Sequence, residues 1–145
     1  METIYFEGPV LWSQIDANMH LRHSAYGDFA TQARLKMLNE LGFDYHVLLA
    51  QNLGPVLFRE ELIYLREVGI NDTVKVTCAL SKMKRDGSRW SFTQNIYRTD
   101  GVKAAVVNTD GAWIDTEKRK LTVLPDSMFG KFKFIPKTET FVLEE

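Results

Sequence analysis

Cysteine occurs once in the 145 residues, at Cys78, which excludes an internal disulfide and any paired-cysteine metal or redox motif. Proline is scarce, with four residues, and no stretch is rich enough in Pro, Gly or Ser to mark a linker. An excess of one charge is missing. Eighteen Lys and Arg against 19 Asp and Glu leave a net charge of −1, so no overall field draws the chain to nucleic acid or an acidic membrane surface. Long apolar runs are also absent. The longest stretch without Asp, Glu, Lys or Arg runs from Tyr45 to Phe58, contains His46, Gln51 and Asn52, and is too short to span a bilayer. No basic residue precedes Arg22, so neither a secretory signal nor an Arg-rich transit peptide is expected. Internal repeats, a Gly-x-Ser-x-Gly nucleophile turn and a Gly-rich phosphate loop are all lacking. With 45% hydrophobic and 26% charged residues, the chain reads as one globular domain over 1–145, expected to be soluble and cytoplasmic.

What is present begins with an apolar, aromatic segment from Thr3 to Trp12, strand-like, with Gly8–Pro9 marking a bulge or an edge. A polar stretch, Ser13–Arg22, follows. Ala25, Tyr26, Phe29, Ala30, Ala33, Met37, Leu38 and Leu41 then recur at three- and four-residue steps. That period predicts a helix from about Ser24 to Leu41 with one uninterrupted apolar stripe, Ser24 as N-cap, Asp28 in the first turn and Gly42 as the stop. A short helix is expected over Tyr45–Gln51. After Gly54–Pro55 the pattern turns to β. Val56 to Glu67 is rich in branched and aromatic residues, and Val74, Val76, Cys78 and Leu80 alternate with Lys75, Thr77, Ala79 and Ser81 as in a half-buried strand. Asp86-Gly87 and Asp100-Gly101 predict tight turns, on either side of a strand that carries Trp90, Phe92 and Ile96 on one face. Val102–Asp115, a short strand ending at Leu124, a helical turn from Pro125 and an extended tail from Lys131 complete the order. One helix and a two-period sheet make an α+β fold, the helix lying across one face of an antiparallel meander.

The chemically informative stretch is Trp12-Ser-Gln-Ile-Asp16-Ala-Asn18-Met-His20-Leu-Arg-His23-Ser-Ala-Tyr26. Asp16, Asn18 and His20 occupy every second position just before the helix, a spacing that directs all three to one side of an extended segment. The helix start behind them offers unpaired N–H groups and the positive end of the dipole. A carboxylate, an amide, an imidazole and an N–H cradle suit the hydrolysis of an acyl group, with the carboxylate as base or nucleophile and the amides holding the developing oxyanion. Each has a plainer use too. Asp16 also suits a loop carboxylate or cap, Asn18 an Asx-turn, and His20 a hydrogen bond that holds the loop.

This segment resembles the signature of hotdog-fold acyl thioesterases, and the element order resembles that fold over nearly the whole chain. In the 4-hydroxybenzoyl-CoA thioesterase-like branch a catalytic Asp stands at the place of Asp16. In plant-type acyl-ACP thioesterases the pattern is Asp-x-Asn-x-His-Val-Asn-Asn-x-x-Tyr. Asp16, Asn18, His20 and Tyr26 match it, Leu21 is close to the Val, and Arg22 and His23 replace the two Asn. A frequent acidic residue two places before the Asp is Gln14 here. The Tyr64–Asp72 and Asp115–Pro125 segments are similar to the superfamily as well. The resemblance implies a hotdog fold with a long central helix, hydrolysis of an acyl-CoA in preference to an acyl-carrier-protein thioester, and no cofactor. It assigns catalysis to Asp16, Asn18 and His20. Substrate binding falls to His23 and Ser24, whose backbone N–H groups would bind the thioester oxygen, and to Tyr26 in the acyl pocket. It further implies a homodimer or homotetramer in which a wall near Val56–Glu61, with Phe58, Arg59 and Glu61, faces the Asp16 loop of the other subunit. The strands carry inviting edges of their own, Val102–Asp115 above all, which pairing between chains would protect.

Other chemistry fits less well. His20 and His23 with Asp16 lack the fixed i, i+4 geometry of helical metal ligands. Cys78 lies mid-strand on an apolar face and reads as core. His46 reads as a surface residue, and Lys82, Lys84, Arg85 and Arg89 as a solvated hairpin tip, with contact to the phosphates of CoA the less favoured use. Two rivals remain. An enoyl-thioester hydratase on the same fold typically places His five residues after Asp with an intervening Pro, whereas His20 follows Asp16 by four with none. A non-catalytic acyl- or protein-binding hotdog protein is the other, since a fold does not fix a function.

Overall fold

The computed structural model describes residues 2–145. Its elements run β1 (Ile4–Pro9), α1 (Tyr26–Glu40), α2 (Tyr45–Ala50), β2 (Leu53–Tyr64), β3 (Thr73–Thr77), β4 (Ala79–Lys84), β5 (Arg89–Tyr97), β6 (Lys103–Asp115), β7 (Lys120–Leu121), α3 (Asp126–Phe132) and β8 (Lys137–Glu144). The expected α+β order is present. Local chemistry makes the joints: Gly87 and Gly101 take φ of 77° and 83° in the two Asp-Gly turns, conformations that a Cβ would penalise. Asp44 caps α2 by accepting the Val47 N–H at 3.0 Å. Ser24 does not cap α1. The chain enters the helix through a 3-10 turn at His23–Ala25, and the Ser24 hydroxyl instead accepts from Arg22 Nε at 3.0 Å. The α-helix therefore has 15 residues and begins two positions later than the apolar period suggests.

The sheet runs β2–β6–β5 in antiparallel order. On its other side β5 has two partners, β4 along Trp90–Thr93 and β3 at Ile96–Tyr97. The single alternating strand expected across Val74–Leu80 is thus divided at Cys78. β1 pairs with β3, and β8 pairs with β4 in parallel, the one departure from an antiparallel meander. The extended tail begins at Lys137, because Lys131 still belongs to α3. Val102–Asp115 is not an edge. β6 lies inside the sheet, bonded to β2 and β5, with Ala104 and Ala105 fully buried. An apolar run reads alike at an edge and in the interior, since distant partners decide the pairing. Among the described residues β2 is an open edge, pairing only with β6, while β1 and β8, with one partner each, end the sheet on its other side.

A bulge at Phe58 gives β2 its two characters. The register steps from Leu57 opposite Gly111 to Arg59 opposite Asp110, so the alternation of faces is reset. Before the bulge, Pro55 and Leu57 face α1; after it, Glu60 stands beside Gly27 and Tyr64 packs edge-on to Tyr26 with ring centroids 5.1 Å apart.

Phe29, Ala30, Ala33 and Met37 bury one face of α1 in the core with Val74, Val76 and Ile96. The stripe is not uninterrupted. Arg34 lies in it, only 9% exposed, and donates from Nη1 to Gln94 Oε1 at 2.8 Å and from Nη2 to Thr31 Oγ1 at 3.0 Å. Gln94, fully buried on the face of β5 that carries Phe92 and Ile96, donates to the Ala30 and Thr77 carbonyls at 2.9 and 3.2 Å. Helix and sheet are therefore joined by hydrogen bonds as well as by apolar contact.

Candidate active site

The segment from Ile15 to Leu21 is a miniature hairpin rather than an extended run. Ile15 bridges Leu21, the Asp16 N–H donates to the His20 carbonyl at 2.8 Å, and the Met19 N–H donates to the Asp16 carbonyl at 3.0 Å. Met19 sits at φ 63°. This is the three-residue hairpin loop in which a type I turn is followed by a left-handed residue, and Asp is favoured at its first position. Asp16 Oδ1 accepts the N–H groups of Asn18 at 2.8 Å and His20 at 3.2 Å. Its Oδ2 has no hydrogen-bond partner among the described residues. The cap reading of Asp16 and the catalytic one are compatible: one oxygen holds the loop and the other is free for chemistry.

Because the segment turns, alternate positions do not share a side. Asp16 and His20 meet across the hairpin, and with Leu21, His23 and Tyr26 they line a depression of about 360 Å³. Its opposite wall is Tyr64, Leu65, Arg66 and Glu67 from the end of β2 and beyond. Asn18 lies at the exposed tip of the hairpin and Ser24 in the helix entry, and neither is part of this lining. The Tyr64 hydroxyl donates to the His23 carbonyl at 3.0 Å and ties the two walls together. The first closing bond of the 3-10 turn runs from the Ala25 N–H to the Arg22 carbonyl at 3.0 Å, so the N–H groups of His23 and Ser24 precede it and have no helical acceptor.

Charge and burial act together here. Burial raises the Tyr26 phenol above its ordinary pKa, and Tyr64, Asp16 and Glu67 push the same way. The Glu67 carboxyl is held below its ordinary range by its own backbone N–H, with Arg98, His20 and Arg66 adding to the effect. Tyr64, Arg66 and Glu67 were not readable as site residues, since nothing local in the sequence signals a contact across more than 40 positions.

The remaining residues lie elsewhere in this chain. Arg59 and Glu61 project from the far face of the sheet, where Arg59 pairs with Asp110 at 3.4 Å and Glu61 at 3.2 Å. Phe58, at the bulge, is 58% exposed and stacks beneath the Arg89 guanidinium. Arg85 is paired with Glu145 at 2.8 Å, and His46 is exposed on α2. Cys78 is buried, and burial pushes its thiol up to about 12, far from a thiolate. Among the described residues no group of three or more His, Cys, Asp or Glu is placed to hold a metal, and no helix is long and apolar enough to cross a membrane.

An antiparallel sheet packed on one principal helix, with a carboxylate loop at the start of that helix, defines the hotdog class of acyl thioesterases. The chain belongs to the thioesterase-like superfamily, whose family model matches residues 10–132. Solved structures agree on the fold. A Staphylococcus aureus protein in complex with CoA aligns over 98% of this chain and 91% of its own, with a TM-score of 0.85 at 17% identity. A DHNA-CoA thioesterase from the same organism aligns over 88% and 89%, with a TM-score of 0.77 at 21% identity. A 1,4-dihydroxy-2-naphthoyl-CoA thioesterase from Synechocystis aligns over 91% and 97%, with a TM-score of 0.78 at 12% identity. No curated protein matches the chain.

Proposed function

We propose that this protein hydrolyses acyl-CoA thioesters, with Asp16 as the base or nucleophile. The observation that carries the reading is Asp16, whose Oδ2 has no hydrogen-bond partner among the described residues. It stands in the wall of the depression that His23 and Tyr26 also line, ahead of a helix entry whose first N–H groups have no helical acceptor. The thioester oxygen accepts from the His23 and Ser24 N–H groups, which stabilise it as the carbonyl carbon becomes tetrahedral. Whichever way the carboxylate acts, the acyl carbon gains oxygen, the C–S bond breaks and CoA leaves as a thiol that takes up the proton from water. Asn18 at the loop tip is a positioning group for water or substrate, and the Tyr26 ring borders the acyl group. The test is free-thiol release from a panel of acyl-CoAs. Release is expected; loss of enoyl absorbance without thiol would show hydration, and binding without either would show a non-catalytic protein.

The His20 backbone is assigned to the loop and its side chain to positioning. Its carbonyl and N–H both bond Asp16, and a substitution spares these backbone contacts. The His20 side chain lines the depression without a hydrogen-bond partner among the described residues, so what His20→Ala removes is one orienting contact to substrate or water. Turnover is expected to fall about 10- to 100-fold, the worth of about 1–3 kcal/mol. Side-by-side kinetics with Asp16→Asn check this. A larger loss for the histidine variant makes His20 the primary base.

The active unit is at least a homodimer formed through β2. This strand is 12 residues long, so it offers about 40 Å of backbone. It carries Phe58, Ile63 and Tyr64, all exposed in the single chain. An edge of that length and character associates unless it is covered, and twofold pairing of like edges closes it. Pairing would carry Phe58, Arg59 and Glu61 to a neighbouring subunit's site. Sedimentation and activity followed together down a dilution series should show turnover per chain falling as dimer is lost. Full activity in a folded monomer would overturn the shared site.

A further inference from the structure

A second cavity, of about 360 Å³, lies further along α1 between the helix, the beginning of β2 and the sheet. Its walls are largely apolar, with Met37, Leu57, Phe92 and Phe132 among them, yet Arg34 is part of the lining. Among the described residues no carboxylate pairs with Arg34 within 4.0 Å. Its guanidinium has five N–H groups, and the two hydrogen bonds to Gln94 and Thr31 leave others unused. Trp90 and Trp113 line the same cavity, 5% and 1% exposed, and the indole N–H of each is buried without a partner. The side chains around this space therefore hold surplus donors and one positive charge with no carboxylate in contact, Glu60 acting on it only from beyond 4.0 Å. Buried donors of this kind call for an acceptor, and a buried cation calls for an anion.

The cavity also lies at a useful distance from the Asp16 depression. Both are walled by α1 and β2: Tyr26 and Tyr64 at one end, Arg34 and Leu57 at the other. Tyr26 and Arg34 are eight residues apart on the helix, about 12 Å. The Glu60 carboxylate stands beside Gly27, next to Tyr26 at the helix start, which disfavours a second anion at that end and favours its seat at Arg34. We propose that the cavity seats an apolar chain ending in a carboxylate and, resting on the hydrolase reading above, that the substrates are mono-CoA thioesters of aliphatic dicarboxylic acids. The thioester carbonyl sits at the helix start, the methylene chain follows α1, and the distal carboxylate bonds Arg34.

Two readouts test this, one without catalysis. Trp90 and Trp113 make their own fluorescence a probe of the cavity, to be titrated with octanoate and with octan-1-ol, which match in length and differ in charge. The second is thiol release from suberyl-CoA and octanoyl-CoA. Octanoate is expected to bind at least 10-fold more tightly than octan-1-ol, and suberyl-CoA to exceed octanoyl-CoA at least 10-fold in kcat/KM. In Arg34→Met both ratios should fall to one or below, while Arg34→Lys, which keeps the charge, should retain the direction of each. Melting curves establish that both variants are folded, and a ratio between matched ligands is insensitive to a general loss of packing. Equal binding of octanoate and octan-1-ol, or equal ratios in wild type and Arg34→Met, overturns the proposal. Octanoyl-CoA cleaved as well as suberyl-CoA overturns the substrate class and leaves thioester hydrolysis standing. If neither thioester is cleaved while octanoate binds selectively through Arg34, the substrate class fails and the anionic ligand stands. The hydrolase reading then falls only if the wider acyl-CoA panel also releases no thiol.

Discussion

Asp16→Asn is expected to reduce acyl-CoA hydrolysis by a factor of about 10² or more while leaving the melting temperature nearly unchanged. The substitution isolates charge from shape. Asn at this position still presents a side-chain carbonyl oxygen to the N–H groups of Asn18 and His20, the two contacts that hold the hairpin. What disappears is the negative charge on the oxygen that no loop group occupies. The loop and its left-handed Met19 should stay as they are, with the chemistry removed. Steady-state thiol release on the best substrate, measured beside a thermal melt, decides the matter. Near-normal turnover would remove Asp16 from the mechanism.

The second large effect concerns stability. Gly111 in β6 lies opposite both Leu57 and Trp90. A Cβ there would overlap the Trp90 ring and stand 2.6 Å from the Val56 carbonyl oxygen. The indole cannot easily move aside, because it packs against Phe92 and Trp113. Nor can the carbonyl, which belongs to the strand just ahead of the bulge. Gly111→Ala is expected to destabilise the fold by about 3 kcal/mol, the upper range for an overpacked core. At this chain length that is about 10 °C in Tm. Gly130 supplies the opposite sign. It sits inside α3 with nothing within 4 Å of an added Cβ, so Gly130→Ala should stabilise by about 0.5–1 kcal/mol through helix propensity alone. Denaturation of both variants checks the pair. A Gly111→Ala protein as stable as the parent would mean that Trp90 repacks freely.

Much of the architecture was legible because it rests on local rules. The three- and four-residue apolar period placed α1, and the two Asp-Gly pairs placed turns where Gly87 and Gly101 adopt positive φ. The start of the helix was read less well. Ser24 has the chemistry of an N-cap, but the chain enters through a 3-10 turn and its hydroxyl goes to Arg22. Asp16, Asn18 and His20 stand out in the sequence as a polar group ahead of a helix. Their geometry does not, because spacing of two implies a shared side only in an extended chain. Here the Asx-type bonds of Asp16 fold the segment into a hairpin and carry Asn18 to its tip.

The sequence by itself determined which segments are helical or extended, that the core is apolar, and that one carboxylate loop precedes the principal helix. Those properties follow from period, turn chemistry and composition, which act over a few neighbouring residues. The tertiary structure alone decided which strands are edges, because pairing joins segments far apart: β6 went inside, while β2, β1 and β8 each stayed open on one side among the described residues. It decided the faces of Phe58–Glu61 too, since the bulge that resets them forms against Gly111. Above all it put Arg34 into the core. A long cationic side chain on an otherwise apolar stripe looks like a surface residue until Gln94, 60 positions away, arrives to accept its hydrogen bond. Burial of a charge depends on its partners, and partners of that kind are brought together only when the chain has folded.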